Sequence, residues 1–246
     1  MSENWLGIDV DFSNVEDKVT SAGFELLPIG WYKAEIKNVN KSVIGENNKS
    51  ALTIALELED SKKEIVHNLF LPQNGDPEDK IQFKKENLRN FFSRCAFNKL
   101  TKKEYQELKE DEKQVGISLL QNNPKGTEQF KGIKVQVYIE QTPFISKDKT
   151  SNAINFTEKL TANLIGTMPK KILTLINDNE KKGINIDKMP VILFSNNIAA
   201  HGFNFYADYE EKVLKNSATY EWVQANLKGN GNVTTNIEPA KVTPRF

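Results

Sequence analysis

Leu26-Leu27-Pro28-Ile29-Gly30-Trp31-Tyr32-Lys33-Ala34-Glu35-Ile36 is the stretch on which the reading of the fold turns. Pro28 and Gly30 break the chain, and from Tyr32 it alternates: Tyr32, Ala34 and Ile36 fall on one side, Lys33, Glu35 and Lys37 on the other. Alternation of one apolar and one charged side predicts an antiparallel strand half exposed to water. The pattern then repeats. After the polar loop Gly45-Glu46-Asn47-Asn48, Leu52, Ile54, Leu56 and Leu58 point inward with Thr53, Glu57 and Glu59 outward. Ile65-Val66-His67-Asn68-Leu69-Phe70-Leu71 follows and is closed by Pro72 and the turn Asn74-Gly75-Asp76-Pro77. Three strands in meander order are predicted.

The period changes over residues 83–113, where Leu88, Phe91, Phe92 and Cys95 recur at three- and four-residue steps, ahead of Leu100, Tyr105 and Leu108. This spacing predicts a helical insertion. Phe130-Lys131-Gly132 then turns into a further strand, with Ile133, Val135, Val137 and Ile139 inward and Lys134, Gln136, Tyr138 and Glu140 outward. Residues 144–156 read as a loop returning through Ile154 and Phe156. Beyond it, Pro169 to Gly183 has helical spacing, Val191-Ile192-Leu193-Phe194 and Phe203-Asn204-Phe205-Tyr206 read as short strands, and Tyr209 to Leu227 reads as helix. The fold class is mainly β with α insertions (α+β). Its parts are an acidic N-terminal arm (1–23), a β domain (24–160) with the helical insertion (83–113), a C-terminal α+β elaboration (161–228) and a polar, flexible tail (229–246).

Several classes of function find no support in the residues. The 33 basic and 33 acidic residues cancel, so any surface for a polyanion has to be local. The single cysteine, Cys95, excludes an internal disulfide and a zinc site built on several thiolates, as expected of a protein of the reducing cytoplasm. No leader with a basic-then-apolar layout and no apolar run of about 20 residues is present, so no membrane partner is expected. Walker, dinucleotide and Gly-x-Ser-x-Gly motifs are missing. His67 and His201 are read as lying on a strand face and in a loop, and Cys95 as a packed thiol on the apolar side of a helix. No catalytic residue, metal ligand or cofactor is predicted. Acidic pairs such as Glu57 and Glu59, which share one strand face, are the basis for an alternative reading as a metal-dependent nuclease.

In their order along the chain, Leu27-Pro28-Ile29-Gly30-Trp31-Tyr32, the long second strand, the Leu88-Arg89-Asn90-Phe91-Phe92 helix and Phe130-Lys131-Gly132-Ile133-Lys134-Val135 resemble a family of small phage proteins. The family is catalogued as domain of unknown function 669 and often described as single-stranded DNA-binding or recombination-associated. The resemblance spans roughly residues 24–142. It implies an OB-like antiparallel β-barrel at work in phage DNA replication or recombination, with proteins of those processes as further partners.

The residues allow that role on their own grounds. Single-strand binders combine cations that follow the phosphates with aromatic rings on which bases stack, at about 1–3 kcal/mol per base. The candidate DNA-binding residues are Trp31, Lys33 and Lys37 on the first strand, Lys131, Lys134 and Tyr138 around the later one, and Phe144, Lys147 and Lys149 after it. Tyr32 shares its side with Ala34 and Ile36 and is assigned to the core, whereas Trp31 and Tyr138 face outward. The expected function is sequence-tolerant binding of single-stranded DNA without catalysis. The main alternative is a phage structural or protein-interaction factor. The basic Lys241-Val242-Thr243-Pro244-Arg245 before Phe246 cannot compete with DNA for cations, so the arm with Asp9, Asp11, Glu16 and Asp17 is the expected competitor.

Overall fold

In a computed structural model, which describes residues 26–45, 48–145, 168–183, 192–210 and 217–228, five strands form one antiparallel sheet. β1 (Gly30–Ile44), β2 (Lys49–Leu58) and β3 (Glu64–Phe70) are the predicted meander. α1 (Glu78–Ala96), α2 (Lys102–Glu107) and α3 (Glu110–Gln121) follow, then β4 (Lys134–Ile145), α4 (Lys170–Lys181), β5 (Ile192–Asn204) and α5 (Ala218–Lys228). The sheet order is β3-β2-β1-β4-β5. The arm at 1–23, the returning segment with Ile154 and Phe156, and the tail at 229–246 lie outside the described residues.

The alternation in β1 behaves as its residues dictate: Tyr32, Ala34 and Ile36 are buried and Lys33 and Glu35 are half-buried on the opposite side. A bulge between Ile36 and Asn38 then shifts the phase, so that Val39 is the next buried residue. The inner face of β1 and β2 joins that of β4, where Val135, Val137 and Ile139 are fully buried.

The helical insertion is longer than the apolar spacing suggests. α1 begins five residues earlier than 83, after Pro77, whose carbonyl accepts the first helical bond from the Ile81 N–H (2.9 Å). Its first turn is polar and carries no periodic signal. Thr101 and Glu104 form a capping box that starts α2, the Thr101 N–H donating to Glu104 Oε2 (2.7 Å). α3 runs on to Gln121 although Val115 and Leu119 remain exposed, so burial could not mark its end.

α1 lies across the concave inner face. Phe91 is fully buried between Phe203 of β5 and Phe130, with ring centroids 5.1 and 5.3 Å away, and Cys95 packs beside it. The edge strands lean together over this helix. His67 of β3 lies edge-on to Phe203 of β5 at 5.7 Å, yet among the described residues β3 and β5 share no ladder and the sheet stays open.

Residues beyond 160 add the fifth strand to this sheet. Instead of two short strands there is one, β5, interrupted opposite Tyr138, where the register passes from Val137↔Phe203 to Ile139↔Ile198. His201 therefore belongs to a strand rather than a loop, and takes a left-handed φ of +59° inside the bulge. Gly202 is required there, since a Cβ would sit 2.7 Å from the Ala199 carbonyl oxygen and 3.1 Å from that of Tyr138. Tyr209 to Leu227 is not one helix either. A 3₁₀ turn occupies Tyr206–Asp208, and α5 starts only at Ala218. The helix predicted from Pro169 is α4, and Gly183 follows its end with φ +74°.

A second apolar cluster forms where β4 and β5 run past the end of β1. Ile192, Phe194, Met168, Ile172, Trp222, Val223 and Leu26 meet there. Asn196 holds the incoming chain by both amide atoms, accepting from the Leu27 N–H (2.9 Å) and donating to the Leu27 carbonyl (3.0 Å), which Gln141 also reaches (2.9 Å).

Candidate nucleic-acid interface

Pairing of β1 with β4 decides which outward side chains become neighbours. The register sets Trp31 opposite Tyr138, Lys33 opposite Gln136 and Glu35 opposite Lys134, all on the convex side of the sheet. Trp31 and Tyr138 meet edge to face, with centroids 5.2 Å apart and planes at 70°. Both are half-buried, so each leaves part of a ring facing water.

The lysines next to this pair are engaged with other side chains. Glu59 follows β2, and its N–H donates to the Lys33 carbonyl (3.0 Å), which continues the β1 pairing by one residue. Its carboxylate takes the Lys134 ammonium at 2.8 Å and the Tyr206 hydroxyl at 2.8 and 3.0 Å. Lys33 Nζ stands 4.6 Å from the centre of the Tyr209 ring and 5.4 Å from that of Tyr206. Burial alone would raise the Glu59 pKa, but hydrogen bonds from Lys134 and Tyr206 outweigh it and hold the carboxyl below its ordinary value. The hydrogen bond to Glu59 correspondingly raises Lys134. Farther along β1, Lys37 bridges Glu35 (3.3 Å) and Glu57 (3.4 Å), and the hydrogen bond to Glu35 raises its pKa.

The segment bearing Tyr206 and Tyr209 is fixed from beneath. Arg94 of α1 packs its guanidinium 4.1 Å from the centre of the buried Phe205 ring. Asp208 accepts the Lys102 N–H at the first turn of α2 (2.6 Å). Two aromatic residues thereby join a surface whose other members come from β1, β4 and the end of β2.

Of the residues singled out in the sequence, Trp31, Lys33, Lys37, Lys134 and Tyr138 share this convex face. Lys131 is exposed just before β4. Phe144, 40% exposed, belongs to the same outward row of β4 but lies near its far end. Lys147 and Lys149 lie outside the described residues. Tyr206, Tyr209 and the central role of Glu59 escaped the sequence reading, because Phe205-Tyr206 resembles a strand end and Glu59 looks like one more solvated carboxylate. Phe70 is a further outward ring that the sequence reading does not single out. It is 38% exposed on the convex side of β3, although the inward Ile65 and Leu69 already imply that direction.

Glu57 and Glu59 face lysines, and among the described residues no three His, Cys, Asp or Glu side chains lie close enough together to hold a metal ion. Cys95 is buried, which pushes its thiol up, away from the thiolate. Among the described residues no helix is long and apolar enough to cross a membrane. No family model matches the sequence, and no curated protein is similar to it.

Proposed function

We propose that this is a non-enzymatic, sequence-tolerant single-stranded DNA-binding protein of phage DNA replication or recombination, built on an OB-like barrel. The observation that carries the reading is the convex β1–β4 face, where the Trp31–Tyr138 pair, Lys33, Lys134 and Tyr206 lie together. Partly exposed rings beside cations are what a strand of stacked bases and phosphates needs. The strand order β3-β2-β1-β4-β5 supports it, with helices inserted between β3 and β4 and edges leaning together at His67 and Phe203, because an OB barrel is a five-stranded, partly open Greek-key sheet. Bases stack on the rings, and the lysines neutralise phosphates.

The test is fluorescence anisotropy of a labelled oligo-dT of about 30 nucleotides at ~50 and ~300 mM salt, with duplex as competitor. Preference for the single strand and weakening with salt are expected. Absence of binding at the lower salt refutes the reading. One observation favours a protein-interaction factor instead: Val115 and Leu119 on α3 are 59% and 68% exposed beside Pro124. That alternative gains if DNA does not bind.

A further inference from the structure

We infer that the convex face contains a phosphodiester-binding site that the chain's own Glu59 carboxylate occupies in the free protein. The inference rests on the single-strand-binding reading and assigns the chemistry of one subsite within it. Two groups suited to a phosphate oxygen bond Glu59 directly, the Lys134 ammonium at 2.8 Å and the Tyr206 hydroxyl at 2.8 Å, and the Lys33 ammonium, over the Tyr206 ring, adds its charge to the same site. A carboxylate and a phosphodiester are both singly charged and offer two acceptor oxygens at one centre. The hydrogen-bonding demands of the ammonium and the hydroxyl are met equally well by either. Trp31 and Tyr138 lie one outward row from Lys33 and two from Lys134 on the same two strands, so a base resting there brings the phosphate that follows it toward this cluster.

Position within the fold gives Glu59 this role. Glu35 and Glu57, the neighbouring carboxylates on this face, form their ion pairs with Lys37 and Lys62. Among the described ion pairs, Glu59 is the carboxylate that holds Lys134. A strand binding here exchanges one anion for another. Lys134 then releases a protein carboxylate rather than a small counterion, and both affinity and salt dependence are lower than the number of lysines implies.

The test compares wild type with E59Q, which keeps the size of the side chain and an acceptor for Tyr206, using oligo-dT over a series of salt concentrations. E64Q is the control, because Glu64 is exposed at the start of β3 and its loss changes net charge equally. E59Q is expected to bind about five-fold more tightly at ~50 mM salt, with the gain fading at ~300 mM. Its plot of log K against log salt should steepen by about 0.7 for each lysine released. E64Q should change affinity less than two-fold. If wild type binds and K134A weakens it, but E59Q matches E64Q in affinity and slope, the inference is overturned while the DNA-binding reading stands. If neither wild type nor E59Q binds at low salt, both fall. Thermal melting of each variant separates these outcomes from misfolding.

Discussion

Lowering the pH from 7 to 5 should weaken this fold through one side chain, His67. The imidazole sits on β3 beneath the seam with β5, its ring against Phe203, and burial holds its pKa down at about 4. The unfolded chain carries an ordinary histidine near 6.5, so between those values the unfolded state binds the extra proton. Stability is therefore complete above pH 6.5 and falls as the pH drops toward 4. The whole gap corresponds to about 3 kcal/mol, of which about 2 kcal/mol is already lost at pH 5. His67→Phe keeps a ring against Phe203 and removes the titration. Urea unfolding of wild type and H67F at pH 7, 6 and 5 is the assay. Paired carboxylates such as Asp76 and Glu110, held low by Lys84 and Arg89, lose their contribution in both proteins at lower pH, so the difference between the curves isolates the histidine. The two stabilities should diverge by about 2 kcal/mol across this range. Parallel profiles would show that water reaches His67 in the folded state and that the seam is looser than its geometry implies.

Replacing Trp31 or Tyr138 by Ala should weaken oligo-dT binding by about 1–3 kcal/mol each with little change in salt slope, as read by anisotropy; an unchanged affinity for both removes them as stacking platforms. Phe91→Ala empties the contact between α1, Phe130 and Phe203 and should cost about 3–5 kcal/mol in denaturant unfolding, whereas a cost under 1 kcal/mol would mean the inner face can close without α1. Deleting residues 1–23, which carry Asp9, Asp11, Glu16 and Asp17, should tighten DNA binding at low salt, and equal affinity of the truncated and full chains eliminates the arm as a competitor.

How far the sequence can be read depends on whether a residue's place is set by its neighbours along the chain. Tyr32, Ala34 and Ile36 announce themselves by alternation because burial on one side of a strand is a local property. Trp31 and Tyr138 are legible as outward residues for the same reason. Their contact is not, since it depends on a register of strands more than a hundred residues apart. β5 reads as two strands in the sequence because its bulge places Ala199, Ala200, His201 and Gly202 opposite Tyr138, which destroys the period that would join the halves. Glu59 is the extreme case. Nothing near it in sequence distinguishes it from Glu57, and its partners Lys134 and Tyr206 come from elements far downstream.

The balance of 33 basic and 33 acidic residues weighs against a polyanion ligand only if the charges mix without order. On the convex face they are sorted by contact: Lys37 and Lys62 form ion pairs with Glu35 and Glu57, while Lys33 lies against tyrosine rings and Lys134 forms its ion pair with Glu59. Pairing of this kind suppresses the long-range field that would draw a strand in, while leaving the short-range groups in position to grip it. A binder built in this way associates slowly for its number of lysines and depends on its aromatic rings for most of its affinity. Substitutions at Trp31 and Tyr138 should therefore act mainly on dissociation, and Glu59→Gln mainly on association. Stopped-flow measurement of both rates on these variants distinguishes this arrangement from a basic groove, in which removal of one carboxylate would leave an already fast association unchanged.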